Sequence, residues 1–160
     1  MGQPGALLAS VVDLGIEGRA RAMVPLSGLT TYRIGGPAEV LVEPASAGDV
    51  AMVVGLAGRL GAPLNVIGGG SNVLVPDAGL EGITLGLAGC LSGASVAGGV
   101  ITALAGTPDR DLARLASSAG MTGFEFLEDI PGTVGGGLVQ NAEAWGDSIS
   151  AHLVEVPVVD

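Results

Sequence analysis

Two runs of three glycines, Gly68-Gly69-Gly70 and Gly135-Gly136-Gly137, are where bare backbone could hold a ligand in this sequence. The first lies in Ile67-Gly68-Gly69-Gly70-Ser71-Asn72-Val73-Leu74. Consecutive glycines permit positive φ, so successive N–H groups can turn toward one point and form an anion-binding nest. Without Cβ atoms, a pyrophosphate can rest against the chain. Ser71 and Asn72 add hydroxyl and amide donors at the same place. A flexible glycine-rich turn is the plain alternative. The segment is not the dinucleotide fingerprint G-x-G-x-x-G, which joins a strand to a helix, because a strand is expected over Asn72–Val75. Gly55, Gly58 and Gly61 are spaced differently and fall in or at the end of a helix.

The second cluster is Glu128-Asp129-Ile130-Pro131-Gly132-Thr133-Val134-Gly135-Gly136-Gly137, with Asn141 just beyond it. Pro131-Gly132 signals a turn. A planar ring could lie on this bare loop, with Ile130 and Val134 as apolar walls. A tight structural loop is the alternative. A third segment, Thr30-Thr31-Tyr32-Arg33-Ile34-Gly35-Gly36-Pro37-Ala38, holds the only tyrosine and one of the arginines. Arg33 could contact a phosphate, close a loop, or simply lie on the surface of a turn.

Charge narrows what such loops could bind. The chain has a formal net charge of −10 and no lysine; its six basic residues are Arg19, Arg21, Arg33, Arg59, Arg110 and Arg114. Nucleic acid needs a basic stripe, so it is excluded as a partner, and an anionic membrane surface is disfavoured for the same reason. Without lysine there is no Walker A loop and no Schiff-base chemistry. A phosphate ligand therefore has to rely largely on backbone N–H groups. Cys90 and His152 each stand alone, which leaves no internal disulfide and no metal site. The N-terminus lacks a basic n-region, and Asp13 interrupts its apolar stretch, so no signal peptide is expected. No run approaches the ~20 apolar residues of a membrane span, and a cytoplasmic location is expected.

The elements that must position these loops follow from the pattern. Residues 5–14 read as a short helix, and Arg19–Thr31 as a connection. Ala38–Glu43 reads as a strand. Ser46, with Asp49 three residues on, starts a helix that reaches Leu60 and stops at Gly61, with Val50, Val53, Val54, Ala57 and Leu60 on its apolar face. Pro63–Ile67 reads as a buried strand running into the first glycines, and Gly82–Leu85 as another. Residues 94–105 form a hairpin turning at Gly98-Gly99. Thr107-Pro108-Asp109 starts a helix, with Thr107 as cap and Leu112, Leu115, Ala116 and Ala119 facing inward. Leu153–Val159 reads as a last strand. Strands and helices are mixed in order, giving an α+β or mixed α/β chain.

Taken together, Thr31-Tyr32-Arg33-Ile34-Gly35-Gly36-Pro37-Ala38, Gly68 to Leu74, and Ile130 to Gly136 with Asn141-Ala142 behind them resemble the UDP-N-acetylenolpyruvoylglucosamine reductase family of flavoenzymes in order and spacing. Gly123-Phe124-Glu125-Phe126-Leu127 fits the approach to the last motif, and the resemblance runs from about residue 24 to residue 160. It implies an α+β, FAD-binding domain of the vanillyl-alcohol-oxidase (PCMH) type, built of two small α+β subdomains with FAD between them. The expected division is residues 1–24 as helix and lead-in, about 25–88 as the first subdomain and about 89–160 as an incomplete second one. By resemblance, Gly68, Gly69, Gly70, Ser71 and Asn72 receive the pyrophosphate. Ile130, Pro131, Gly132, Thr133, Val134, Gly135, Gly136 and Asn141 lie along FAD toward the flavin, and Arg33 belongs to the same cofactor site. The family reduces the enolpyruvyl group of a UDP-sugar in peptidoglycan synthesis, with NADPH as hydride donor.

The family's catalytic residues and substrate-binding domain lie C-terminal to the matched region, so no catalytic role transfers to residues 1–160. The chain reads as the front half of the enzyme, inactive by itself. Another FAD oxidase or dehydrogenase of the superfamily, or a non-catalytic remnant, are the alternative readings. Covalent flavin attachment could use only His152 or Cys90. Where the family usually has Asn-Ala-Gly-Ala-Tyr-Gly, this chain has Asn141-Ala142-Glu143-Ala144-Trp145-Gly146. If position 143 requires positive φ, Glu143 costs roughly 1 kcal/mol or more. Asp129 stands where glycine is common, beside Glu128.

Overall fold

The apolar run Ala38–Val42, closed by Pro44, is too short for a helix and pairs on both sides as a strand. A computed structural model describes residues 4–159. Residues 1–3, part of the N-terminal reading, and Asp160 lie outside the described residues. In the structure β2 (Pro37–Glu43) and β4 (Leu80–Gly86) are the two inner strands of a four-stranded sheet. The edges are β1 (Arg19–Pro25) and β3 (Leu64–Ile67), in the order β1-β2-β4-β3. β1 runs antiparallel to β2, and β2, β4 and β3 are mutually parallel.

β1 occupies part of what the sequence presented as a connection. Its Arg-Ala-Arg-Ala start carries no β-branched signal, but exposed and half-buried residues alternate along it as an edge strand requires. β3 forms where expected, but it is not a buried strand: it is an edge, and only Ile67 is buried.

Helices α1 (Pro4–Val12) and α2 (Ala47–Leu60) pack on the sheet. Val11, Val53, Leu56 and Ala57 meet Val40, Val42, Ile83 and Leu85 there. Leu56 faces the core, whereas Leu60, expected inward, is half exposed in the last turn, which Gly61 closes. Ser46 caps α2 by accepting from the Asp49 N–H at 3.1 Å. The buried Asp49 carboxylate accepts from Glu17 N (3.1 Å), Gly18 N (2.9 Å) and Ala45 N (2.8 Å), tying the entry to β1 onto the start of α2.

A second group of elements follows β4. β5 (Ala94–Ala97) and β6 (Val100–Ala103) form the expected hairpin, with Gly98 at φ 58° and Gly99 at φ 79°, the left-handed pair a type I′ turn demands. α3 (Asp109–Ser118) starts one residue later than the Thr-Pro-Asp pattern suggests. Thr107 is not its cap, because its hydroxyl donates to Gly93 O (2.9 Å) and accepts from Gly93 N (3.0 Å). On α3 the inward face is Leu112, Ala113 and Ala116, while Ala119 is exposed. Leu112, Ala113, Phe126 and Leu127 centre this core.

The chain ends in α4 (Val134–Gln140), a two-residue hairpin of β7 (Glu143–Ala144) and β8 (Asp147–Ser148), and α5 (Ile149–His152). Two expected strands do not form. Residues 72–75 leave a turn at Ser71-Asn72 and meet Pro76; Val75 plugs the cluster of Leu26, Ala38 and Leu41 while Leu74 is exposed. Residues 153–159 are extended with exposed valines and have no strand partner among the described residues. Glu143 is not at positive φ, so the strain foreseen there is absent. That backbone falls instead on Trp145 (φ 58°), in the β7–β8 turn.

Burial opposes the Asp49 charge, but the backbone donors and Ser46 outweigh it and hold the carboxyl below its usual value of 3.8. Its contribution to stability is therefore present above that value and is lost as pH falls through the depressed pKa. Asp49→Ala, which orphans three N–H groups, is expected to cost about 3 kcal/mol at neutral pH in urea unfolding. The deficit shrinks in acid.

Candidate functional site

The parallel strands β3 and β4 both end toward one edge of the sheet, and their exits bracket a trough. It consists of two adjoining clefts of about 490 Å³ each. The first is walled by Leu29–Thr31, Arg33, Ile67–Gly69, Gly86 and Ala88. The second is walled by Ser71, Ala88-Gly89, Gly106, Arg110 and Glu128–Thr133. Thr31, Gly69 and Ala88 belong to both, so the clefts form one elongated trough.

Its floor is made where the two glycine loops touch. A Cβ at Gly68 would come within 2.6 Å of Thr133 Oγ1, and one at Gly69 within 3.2 Å of Gly132 Cα. Ser71 Oγ donates to the Pro131 carbonyl, and Asn72 Nδ2 donates to Gln140 Oε1 at 3.2 Å. Of the first three glycines only Gly70 has positive φ (65°), and a Cβ there would strike the Leu29 carbonyl. Gly70 O accepts from Thr31 N at 3.0 Å, fastening the Arg33 segment to the loop. Close approach, more than conformational freedom, is what Gly68 and Gly69 supply.

The second cluster divides in two. Ile130, Pro131, Gly132 and Thr133 line the trough, but Val134, Gly135 and Gly136 do not: they start helix α4, which Thr133 caps. Gly135 lies against Ala105, and Gly137 against Ile149, as packing glycines. Ile130 faces the trough while also packing on the second core, which Val134 joins. The Val134 and Gly135 N–H groups donate to Thr107 O and Ala105 O, so the start of α4 offers little to an anion. Asn141 (φ 47°) ends α4, and its side chain accepts from Ser150 N at 3.1 Å. Neither Asn72 nor Asn141 lines the trough.

By contrast, no backbone N–H from Gly68 through Asn72, nor that of Gly132 or Thr133, donates a hydrogen bond among the described residues. Of these seven donors, those of Gly68, Gly69, Ser71, Gly132 and Thr133 belong to residues that line the trough. Arg33 lines the first cleft from a left-handed backbone (φ 55°). Arg110 lines the second, among Glu128 and Asp129. Sequence reasoning missed the Gly86–Gly89 wall, Gly106 and Arg110. The signal for the wall was Gly86 at the end of β4 with Gly89 three residues on, and a Cβ at Gly106 would strike the carbonyls of Leu87 and Cys90. Cys90 and His152 do not line the trough. His152 stacks on Phe124 and Phe126 and pairs with Asp147 at 2.9 Å. No group of three His, Cys, Asp or Glu among the described residues could hold a metal.

Asp109, directly behind Gly132, was also missed as a site residue. It is 1% exposed, and neither carboxyl oxygen has a hydrogen-bond partner among the described residues. Burial pushes its carboxyl up to about 6 from 3.8. Its folded pKa is raised, so the associated stability is present below 3.8 and is lost as pH rises through about 6. Asp109→Asn is therefore expected to gain on the order of 2 kcal/mol relative to wild type on going from about pH 4 to about pH 8. Urea unfolding at the two pH values checks this. An equal pH dependence in both proteins would refute the role of Asp109.

The FAD binding domain family matches residues 38–160. A UDP-N-acetylenolpyruvoylglucosamine reductase of Rubrobacter xylanophilus is 44% identical over 130 residues, covering 81% of this chain and 44% of that protein. One from Azorhizobium caulinodans is 38% identical, covering 97% of this chain and 49% of that protein. The chain thus spans just under half the length of the curated relatives it matches. Among solved structures, the reductase of Thermus caldophilus superposes with a TM-score of 0.61 at 28% identity, over 83% of this chain and 45% of that one. A solvent-stable cholesterol oxidase, at 19% identity and a TM-score of 0.58 over 83% of this chain and 27% of that one, shares the fold. The architecture is the α+β, vanillyl-alcohol-oxidase type, and by sequence match over most of its length the chain belongs to the FAD binding domain family.

Proposed function

We propose that the trough seats FAD through backbone donors, with the pyrophosphate against Gly68–Asn72 and the flavin end along Ile130–Thr133. The observation that carries this reading is the set of five unused N–H groups on the trough-lining residues Gly68, Gly69, Ser71, Gly132 and Thr133, in a chain with no lysine. A cradle without Cβ atoms lets an anion approach peptide N–H groups directly. The charges nearby oppose an anion more than they help it, since Glu43, Glu128 and Asp129 outnumber Arg33 and Arg110 along the trough. Ser71 and Asn72 serve as braces: their hydrogen bonds to Pro131 and Gln140 fix the distance between the loops. Ile130 supplies an apolar wall. Asn141 acts at a distance, holding the turn behind α4. The two halves around the trough, divided near residue 88, are the subdomains between which the cofactor lies.

In the whole protein, this module supplies the FAD site of an NADPH-dependent reductase acting on the enolpyruvyl group of a UDP-N-acetylglucosamine derivative, in the cytoplasm, for peptidoglycan synthesis. Similarity to reductases of that name supports the assignment. FAD supplies the hydride-transfer chemistry when bound, while these residues bind it, orient it and exclude water. Residues that meet the sugar nucleotide and protonate the product belong to a further, C-terminal domain.

FAD added to the purified chain should bind saturably, with quenched flavin fluorescence. Arg33→Gln should weaken binding by no more than about tenfold, because exposed charges contribute about 1 kcal/mol. Gly69→Val should abolish it by forcing the loops apart. No binding at high micromolar FAD would count against the module as an autonomous binder. Equal affinity in Gly69→Val would show that the ligand seat lies elsewhere. NADPH oxidation dependent on the enolpyruvyl sugar nucleotide, measured on a longer protein containing this chain, tests the reductase assignment.

A further inference from the structure

Asp109 is a fully buried carboxyl with no polar partner, placed one backbone layer behind the wall of the trough. Its Oδ2 would lie 2.7 Å from a Cβ at Gly132, and its Oδ1 3.5 Å from one at Gly137. Its own N–H donates to Gly132 O at 3.3 Å. The side chain is thus wedged between the trough-lining turn and α4, and its main chain holds the turn in place. An unpaired carboxylate in such a place is unfavourable unless protonated or hydrated.

We propose that Asp109 is a positioning residue for the 130–133 turn, and that its protonation is coupled to FAD binding, the neutral carboxyl favouring the bound state. The inference rests on the FAD assignment above. With the flavin end along Gly132, bound FAD covers a route for water, and its pyrophosphate on the Gly68-Gly69 loop that abuts Gly132 brings negative charge close to the buried carboxyl. Both effects disfavour the carboxylate, so binding takes up a proton wherever Asp109 is ionised in the free chain. No other charge compensates. The 68–72 segment and α4 carry no charged side chain, while Arg110 and Asp111 on α3, and Glu128 and Asp129 on the approach to Pro131, are exposed to solvent. Burial is the one cause of the raised carboxyl, which places its titration at about 6, within reach of experiment.

The test is FAD affinity by flavin fluorescence quenching from about pH 5 to about pH 8. Uptake of one proton makes the wild-type Kd rise by up to about tenfold per pH unit above the midpoint. Asp109→Asn, a neutral isostere, should bind tightly with a Kd that changes little over the same range. The Asp111→Asn control should keep the wild-type slope. A flat wild-type profile, or the same slope in Asp109→Asn, overturns the proposal. A purely structural Asp109 would shift affinity equally at all pH values. Calorimetry of wild-type binding at about pH 7, in two buffers of different ionisation enthalpy, does not depend on any variant folding. Net proton uptake supports the coupling, and none overturns it. Tight but pH-independent binding sinks this inference alone, whereas no FAD binding at any pH sinks the FAD assignment with it.

Discussion

Gly69 lies against Gly132, and Gly68 against Thr133, with no room for a side chain between them. Much of the site follows from that approach of two backbones. The loops are more than 60 residues apart in sequence, and each is delivered by a different core: the first by β3 at the sheet edge, the second by the turn ahead of α4. Where they meet, Ser71 and Asn72 turn inward to brace the partner loop. Their backbone N–H groups make no hydrogen bond among the described residues. A Cβ at the junction would separate the loops and also break the continuity of the trough at Gly69, where the two clefts join.

The charge balance gives this geometry its meaning. A chain at −10 with scattered arginines has no side-chain cradle for a phosphate. Peptide dipoles carry no net charge and add nothing to the self-repulsion of an acidic chain. They can therefore concentrate positive potential at one spot while the surface stays acidic and free of lysine. α4 shows the same economy from the other side. Thr107 and Ala105 take its first N–H groups, so its helix start is committed to joining the two parts of the second core.

What was legible in the sequence was whatever rests on local chemistry. Ser46 and Gly61 bound α2, Gly98-Gly99 turn the hairpin, and both glycine clusters fall at or beside the trough. The misreadings came where the deciding partner is distant. Gly135-Gly136-Gly137 looked like a loop because helix propensity disfavours glycine, yet packing against Ala105 and Ile149 demands small residues there. Asn72 to Val75 looked like a strand, but Val75 is claimed by the cluster around Leu26 rather than by a neighbouring strand. β1 was hidden because its pairing with β2 supplies what its alanines and arginines do not announce. Asn141, which the resemblance places along the cofactor, ends α4 and accepts from Ser150 N.

Asp49 and Asp109 show how far environment overrides residue type. Both are aspartates in the first turn of a helix, both are 1% exposed, and the helix dipole favours a negative charge at each. Three backbone N–H groups converge on Asp49 and hold it ionised, so it acts as a joint between α2 and β1. No donor among the described residues reaches the Asp109 carboxyl, and burial raises it instead. The difference lies in the adjoining loops. Ala45 ahead of α2 and Glu17-Gly18 ahead of β1 turn their N–H groups onto Asp49, while the turn at Gly132 offers a carbonyl to the Asp109 main chain and no N–H to its carboxyl. The Gly132 and Thr133 N–H groups reach neither Asp109 nor any other acceptor among the described residues, so the unpaired acid and the unused donors meet at one loop.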